Sequence, residues 1–567
     1  MAMVAAPALK FTARRRAALL LAPAAPTPRE LKLLLDVDDQ EGLRFHAPII
    51  HFYRRDTAMD GRDPAPVIRD AVAMALVHYY PLAGRLRELD GRKLAVDCTG
   101  EGVLFIEADA DVRLEHFGDA VHPPLPCLEE LAFDVSGSSY AEISSSPLVL
   151  IQVTRLACGG FIVAVSVHHT MADAQGILQF LGAVSELARG AAAPTDHPVW
   201  ERELLMARNP PRPSFPHREY DKVPADHHNG AIVSPDAIAR CSFFFGPGDV
   251  AAIRSHLPPH LRERATTFEV LTGFLWRCRT MALVPDAAAE VRVGCVVSAR
   301  GGKNNGLRIP KGYYGNSFAS PVAISTAGEL CASPVGYAVE LVRKAKTAVG
   351  AEYMRSVADH MVMNGRPIFS AVGAYMVSDL TRIRFGDLDY GWGRPVYGGA
   401  ASLGPIPIPG LSSFLLPVKN ANGEDGIAVP MWLPASAMNR FAEEVSKLLR
   451  RPSAAADDPA PQRRGHGVFL AKRKCSARRR LVAAGPAECA QSMAVRCSTL
   501  ALAMAARFGF EPNVFLANVF LAAMIRCGGA HGCVLGDSCA RRDIVSWNTT
   551  LDNKFNKISK IQVHPVR

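Results

Sequence analysis

The sequence predicts an α/β fold of two lobes. Strand-like and helix-like segments alternate through the first 450 residues, which favours a mixed fold over an all-helical or all-strand one. Between Gly190 and Asn229 the composition changes to Pro, His, Arg and Asp, which indicates a long crossover between lobes. Together these observations predict four regions: a first lobe at 1–189, a crossover at 190–230, a second lobe at 231–450 and a tail at 451–567.

Periodicity predicts the main elements in order. In the first lobe, apolar residues at helical spacing predict helices over Pro66–Tyr80 and Ala174–Ala188, and β-rich runs predict strands over Leu148–Arg155 and Phe161–Val167. The same criteria apply to the second lobe, where they predict strands Cys241–Phe245, Val291–Ser298 and Gly426–Leu433 and helices Pro247–His256, Thr267–Met281 and Ala435–Leu449. Because Pro452–Gly467 lacks periodicity, we expect the folded body to end near residue 450.

Charge is divided unevenly along the chain. Residues 451–567 hold 18 Lys and Arg against 7 Asp and Glu, whereas residues 1–450 hold 46 against 47. A basic surface favours nucleic acid or acidic membrane as a partner, and here that inference applies to the tail only. No run of eighteen apolar residues occurs, so we expect no membrane span.

The 13 cysteines form no C-x-x-C pair and no cluster with histidine. We therefore expect reduced thiols in a cytoplasmic protein and no metal site. Six cysteines lie after residue 450, which again separates the tail from the body.

The segment His168-His169-Thr170-Met171-Ala172-Asp173 follows a strand of buried composition and precedes a helix. A histidine near its ordinary pKa accepts a proton at neutral pH, and such a base accelerates a reaction typically by about 10²–10⁴. Asp173 can cap the new helix or pair with an arginine, which fixes the backbone that presents His169. The motif alone leaves a core or capping role open, because a chain with 17 histidines produces His-x-x-x-Asp by chance. Alternation along the strand predicts that His168 is a packing residue.

Asp389-Tyr390-Gly391-Trp392-Gly393 is the second unusual segment. Two glycines give the backbone freedom to turn around a packed tryptophan, and Asp389 can bond the turn. That interpretation is purely structural. However, the segment occurs together with the histidine motif, in the expected order and in the other lobe. This coexistence favours a joint functional role for the two segments over the purely structural interpretation.

The two segments resemble the signatures of the BAHD acyltransferases, His-x-x-x-Asp and Asp-Phe-Gly-Trp-Gly. These plant enzymes move acyl groups from coenzyme A thioesters to alcohols and amines. The similarity covers roughly residues 8–450 and includes Tyr79–Arg85 and Gly312–Asn316. Asp38–Arg44 and Val396–Gly399 are most similar to the branch of alcohol benzoyltransferases.

The resemblance implies a chloramphenicol-acetyltransferase-like fold, with a channel between two α/β lobes that admits coenzyme A and the acceptor from opposite sides. It implies that His169 is the general base and that no acyl-enzyme forms. Asp173 carries over as a structural residue facing an arginine, for which Arg300 is our candidate. Asp389 carries over among the catalytic residues, although its glycine turn favours a structural part.

The resemblance also implies partners. An acyl-CoA is the co-substrate and no cofactor stays bound. The acyl group is benzoyl, acetyl or hydroxycinnamoyl, and the acceptor is a small alcohol. We expect a cytoplasmic monomer without a membrane or nucleic-acid partner, in which Gly391, Trp392 and Gly393 support the site. Tyr390 stands where the family has Phe, and its added hydroxyl requires a partner if it is buried.

In the tail, Phe508–Asn518 and Arg542–Asn548 are similar to one copy of a pentatricopeptide repeat. Such repeats bind RNA as arrays, and a single copy cannot bury its apolar faces by stacking. We therefore expect a poorly ordered fragment. The basic runs Lys472–Lys474 and Arg478–Arg480 leave RNA binding through the tail as an alternative function. A catalytically silent acyl-CoA-binding protein is the other alternative.

Overall fold

The computed structural model describes the backbone of residues 3–5 and then residues 9–118, 121–135, 145–222, 238–300, 306–371, 373–402 and 410–449. These residues belong to the first of the two units into which the chain divides, Met1–Asp457. The predicted linker, basic runs and repeat-like segments of 451–567 lie outside the described residues.

The first half of the chain supplies a run of strands and three helices. The strands are β1 Met3–Ala5, β2 Ala13–Arg15, β3 Leu19–Leu21, β4 Leu31–Leu33, β5 His46–Tyr53, β6 Arg85–Glu88, β7 Leu94–Asp97, β8 Val103–Ala110, β9 Val149–Leu156 and β10 Phe161–His168. The helices are α1 Pro64–His78, α2 Leu128–Leu131 and α3 Ala174–Ala188.

The second half is richer in helix. Its strands are β11 Ile238–Phe245, β12 Glu290–Cys295, β13 Val297–Ser298, β14 Phe318–Ala319, β15 Val322–Thr326, β16 Ala374–Asp379, β17 Tyr397–Ala400, β18 Ser412–Lys419 and β19 Asp425–Pro434. Its helices are α4 Pro247–Ser255, α5 Pro259–Arg262, α6 Thr267–Leu283, α7 Ala327–Ala332, α8 Val335–Thr347, α9 Ala351–Met363 and α10 Ala435–Leu449.

Two large sheets organise the two lobes. The first has the order β17-β5-β10-β9-β8-β2, with β3 also paired to β8, and the second has the order β1-β11-β19-β18-β16-β12-β15. Each sheet therefore includes one strand from the other half of the chain: β17 pairs antiparallel with β5, and β1 pairs antiparallel with β11. This exchange of strands ties the lobes together through backbone hydrogen bonds.

The element that carries the histidine motif sits at the centre of the first sheet. All eight residues of β10 are buried, which agrees with its unbroken apolar composition. Helix α3 follows it and packs beside α1 in the core of the first lobe, with Ile177, Phe180, Leu181 and Val184 facing inward. Burying each of these side chains contributes about 1.5–3 kcal/mol, so the end of β10 is firmly held.

The predicted helices and strands are present, with most ends shifted by no more than two residues. One prediction was wrong in detail. The strand expected over Val291–Ser298 is divided into β12, which pairs with β15 and β16, and β13, which leaves the large sheet to pair with β14. None of the helices in the described ranges combines the length and the apolar composition that a membrane span requires.

The crossover is packed against the body as far as residue 222. Arg202, His217 and Glu219 are buried in it. His217 contacts Ser356 of α9 through Nε2 at 2.7 Å and Glu219 through Nδ1 at 3.1 Å. Residues 223–230 of the predicted crossover lie outside the described residues.

Candidate active site

His169 lies directly after β10, between groups from both halves of the chain. Its backbone N–H donates to the carbonyl of Phe45 at 2.7 Å, which fixes the chain at the strand end. The imidazole lies between two phenyl rings, that of Phe45 at 5.2 Å and that of Phe318 at 6.0 Å between centroids. Because Phe318 belongs to β14, the ring stands where the two lobes meet.

The protonation state of His169 suits a base. Burial lowers the pKa of the imidazole below its ordinary value of 6.5, and its own carbonyl, Asp173 and Asn316 partly oppose that change. The ring is therefore neutral at pH 7. Nδ1 is buried and has no hydrogen-bond partner among the described residues, which leaves Nε2 as the ring nitrogen able to reach a substrate.

The Asp173 carboxylate is fully committed to structural contacts. One oxygen accepts the backbone N–H of Gly176 at 3.0 Å and so caps α3. The other accepts the Arg300 guanidinium at 2.5 Å and the N–H of Ser317 at 3.1 Å. Arg300 also donates to the carbonyl of Gly315 at 2.6 Å, so the pair joins the start of α3 to the second lobe.

Three residues that the motifs did not single out complete the surroundings of His169. Asn316 Nδ2 donates to Asp38 Oδ1 at 2.6 Å and to the carbonyl of His169 at 2.7 Å. Arg202 donates to Asp38 Oδ2 at 3.0 Å and to the carbonyl of Met171 at 2.6 Å. Burial raises the pKa of Asp38 to about 7, while Arg202, Asn316 and the N–H of Leu35 oppose the rise.

Asp38 and Asn316 both stand inside segments whose family resemblance was recognised, so a signal for them was present in the sequence. Their contact was not predictable, because 278 positions separate them. Arg202 lies in the crossover, where composition alone indicated a connecting segment.

His168 has a packing role, as its place on the strand predicted. Its Nδ1 is 2.7 Å from the Thr170 hydroxyl, and its ring meets that of His46 edge to face at 5.2 Å. Burial, together with the neighbouring His46 and His169, lowers the pKa of His168 well below its ordinary value, so it stays uncharged.

Asp389 lies at the other end of α3. Its Oδ1 accepts the backbone N–H of Gly391 at 2.7 Å, and its carbonyl accepts Arg189 and, at 2.7 Å, the hydroxyl of Ser185. Ser185 follows Asp173 by twelve residues, so a helical rise places the two about 18 Å apart. The structure therefore brings Asp173 and Arg300 beside His169 but holds Asp389 in a separate turn.

The turn is built for packing. Gly391 and Gly393 have φ values of 108° and 78°, in the left-handed region that favours glycine. Trp392 is 8% exposed and meets the ring of Phe161 edge to face at 5.4 Å. Tyr390 is 1% exposed, and its hydroxyl has no hydrogen-bond partner among the described residues.

The described residues offer no metal-binding group, and two buried thiols among them are poor nucleophiles. Within those ranges, no group of three His, Cys, Asp or Glu side chains could hold a metal ion. Burial raises the pKa of Cys98 and that of Cys295 to about 12 each, so these thiols remain protonated at neutral pH. A protonated thiol is a poor nucleophile.

Comparison with known proteins gives the family. The Transferase family matches residues 11–448. The chain is 56% identical over 442 residues to a benzyl alcohol O-benzoyltransferase of Petunia hybrida, covering 78% of this chain and 95% of that protein. It is 52% identical over 437 residues to alcohol acyl transferase 1 allele GSa of Malus domestica, covering 76% of this chain and 93% of that protein.

Solved structures agree in fold. Vinorine synthase matches with a TM-score of 0.59 at 19% identity, covering 78% of this chain and 99% of that one. TRI101 of F. graminearum, complexed with coenzyme A and T-2 mycotoxin, matches with a TM-score of 0.56 at 17% identity. The match covers 74% of this chain and 98% of that one. The predicted two-lobed α/β fold is confirmed. The fold and the curated relatives together define an acyltransferase of two lobes. The chain belongs to the Transferase family, that of the BAHD acyltransferases.

Proposed function

We propose that this protein transfers an acyl group from an acyl-CoA thioester to the hydroxyl of a small alcohol. The observation that carries the proposal is the neutral imidazole of His169, held at a strand end where the two lobes meet. The identity to a benzyl alcohol O-benzoyltransferase makes benzoyl-CoA with benzyl alcohol the first pair to test. Acetyl and hydroxycinnamoyl groups are the other donors that the family resemblance supports.

The reaction needs one base and no covalent enzyme intermediate. Nε2 of His169 takes the hydroxyl proton as the alcohol oxygen forms a bond to the thioester carbonyl carbon. The tetrahedral intermediate then collapses, the C–S bond breaks, and the coenzyme A thiolate recovers the proton from the imidazolium. Acyl-CoA thus acts as a co-substrate. The raised thiol pKa values of Cys98 and Cys295 argue against an acyl-enzyme at either of these two cysteines.

The neighbours of the base have supporting roles in this proposal. Asp173 and Arg300 fix the backbone that presents His169, because their charges bind each other and neighbouring main-chain groups. Asp389, Gly391, Trp392 and Gly393 hold the far end of α3 through the turn. Asp389 is then a structural residue without contact to the reacting atoms.

We further propose a cytoplasmic monomer with lobes at 1–189 and 231–450 joined by the crossover at 190–230. The near-zero charge of residues 1–450 supports a small-molecule substrate over nucleic acid. Residues 451–567 are, in this proposal, a fused fragment similar to one pentatricopeptide repeat. Tight RNA binding by the full chain that weakens steeply with salt would contradict that view.

The test is the release of free thiol from a panel of acyl-CoA donors, each supplied with pooled small alcohols. Three full-length proteins are compared: the unsubstituted chain, His169→Ala and His260→Ala, the last at an exposed histidine remote from the site. We expect His169→Ala to lower turnover at least about 10²-fold and His260→Ala to leave it unchanged. Alcohol-dependent release that survives in His169→Ala would remove this base from the mechanism. Silence of every folded protein, with acyl-CoA still bound at equilibrium, would favour the non-catalytic alternative.

A further inference from the structure

A group of buried polar side chains lies behind the base. Asp38, Arg202 and Asn316 are each no more than 1% exposed, and they come from the first lobe, the crossover and the second lobe. Buried polar groups persist only when hydrogen bonds compensate the loss of water. Here the compensation is a connected network that ends on the carbonyl of His169.

The network fixes the orientation of the Asn316 amide. Both of its close partners, the Asp38 carboxylate and the His169 carbonyl, are acceptors. Only the NH₂ group can donate, so Nδ2 faces these two oxygens and Oδ1 is directed away from them. Arg202 holds the Asp38 carboxylate at its other oxygen and so keeps that acceptor in place.

One donor atom on His169 and one acceptor atom on Asn316 remain unpaired in the described structure. Nδ1 of His169 and Oδ1 of Asn316 are both buried, and neither has a hydrogen-bond partner among the described residues. Nδ1 is the donor in the neutral tautomer whose Nε2 is free, and Oδ1 is an acceptor. Each unpaired buried group costs about 1–3 kcal/mol, so a hydrogen bond from Nδ1–H to Oδ1 would relieve both costs.

Asp173 cannot orient the imidazole instead. Its two oxygens are occupied by Gly176, Ser317 and Arg300. In a triad of the serine-protease kind, a third group bonds Nδ1–H and thereby fixes the tautomer. Beside the carbonyl of His169 itself, which already accepts Asn316 Nδ2 at 2.7 Å, Asn316 Oδ1 is a buried acceptor without a partner among the described residues.

We propose that Asn316 is the positioning residue of His169. Its Nδ2 holds the carbonyl of the base, its Oδ1 accepts Nδ1–H, and Asp38 with Arg202 holds the amide in that orientation. Nε2 then presents its lone pair to the acceptor hydroxyl. Because Asn316 belongs to the second lobe, the base is oriented only while the lobes are packed together. This inference rests on the proposed function for its catalytic meaning.

The kinetic test compares Asn316→Ala and Asn316→Ser with Asn422→Ala, a control in the exposed turn between β18 and β19. We expect both Asn316 variants to lower kcat about 10- to 100-fold with little change in KM, the range known for contacts that orient metal-bound histidines. The acid limb of the kcat/KM profile should also move to lower pH. The lost contact had favoured the protonated imidazole, so its removal lowers the pKa of His169 further. An unshifted limb, or an unchanged kcat, would overturn the proposal.

A second readout is independent of activity. Full-length protein labelled with ¹⁵N-histidine reports the tautomer of each ring, and the His169 signals are identified by their loss in His169→Ala. We expect Nδ1 protonated and Nε2 bare in the unsubstituted protein, and a mixture in both Asn316 variants. A protonated Nε2 in the unsubstituted protein would overturn the proposal even if no Asn316 variant folds. The expected tautomers combined with no thiol release would instead refute the proposed function.

Discussion

The two signature segments of this chain are held at opposite ends of one helix, and their surroundings differ in kind. At the start of α3, the histidine turn is surrounded by polar side chains from both lobes, namely Asp38, Asp173, Arg300 and Asn316. At its end, the glycine turn is held by main-chain contacts and by an aromatic core that includes Phe161 and Trp392.

The difference separates chemistry from support within one family signature. In the histidine turn, Nε2 of His169 has no partner among the described residues that would occupy it, and the nearby charges of Asp173 and Arg300 are paired with each other. In the glycine turn the Asp389 carboxylate is used to bond Gly391, and Trp392 packs into the first-lobe core. We therefore propose that the first segment governs the rate of reaction and the second the stability of the helix that presents it.

The largest expected effect on stability is at the glycine turn. Trp392→Ala should lower the free energy of unfolding by about 3–5 kcal/mol, because it empties a well-packed site in the core. Activity per folded molecule should remain close to that of the unsubstituted protein. Denaturant unfolding followed by thiol release on the folded fraction measures both quantities. A folded Trp392→Ala protein with activity reduced a hundredfold would break the distinction between the two turns.

An intermediate effect is expected at the histidine turn. Arg300→Ala should lower the free energy of unfolding by about 1–3 kcal/mol, since it removes the charged partner of the Asp173 carboxylate and a donor to the Gly315 carbonyl. It should also lower kcat by about tenfold, because Asp173 no longer fixes the start of α3. Arg384→Ala is the matched control, since Arg384 pairs with Asp387 on the exposed surface. Equal behaviour of the two variants would show that Arg300 does not support the base.

The smallest effect concerns the departure from the family at Tyr390. Tyr390→Phe should raise the free energy of unfolding by about 1 kcal/mol, because the buried hydroxyl has no partner among the described residues. Tyr397→Phe is the control and should lower the free energy of unfolding, since that buried hydroxyl donates to the carbonyl of Ala400 at 2.7 Å. Thermal and denaturant unfolding of both variants give the comparison. Destabilisation by Tyr390→Phe would indicate that its hydroxyl is bonded in solution.

Much of the fold was predictable because its signals are local. The unbroken apolar run of β10 and the helical spacing of α3 identify both elements, and Asp173 stands where a helix cap is expected. The pairing of Arg300 with Asp173 came from the family resemblance, and the structure places the two side chains in contact.

The rest depends on contacts between distant parts of the chain, which local periodicity does not report. The pairing of β17 with β5 places a strand from the second half in the first sheet. Likewise, Asn316 reaches Asp38 and His169 only after both lobes have folded, and Arg202 is buried although its segment looks like a connector. The role of a polar residue in such a segment depends on contacts with residues that are distant in sequence.

The most direct test of the division between the two turns is the turnover of Asp389→Asn. The asparagine keeps the shape and the acceptor that bonds the N–H of Gly391, and it removes only the charge. We predict that kcat stays within about threefold of the unsubstituted protein, with unchanged thermal unfolding, since Asn forms the same kind of turn as Asp. A folded Asp389→Asn protein whose thiol release falls a hundredfold would contradict the account, because it would give the distant carboxylate a part in the reaction.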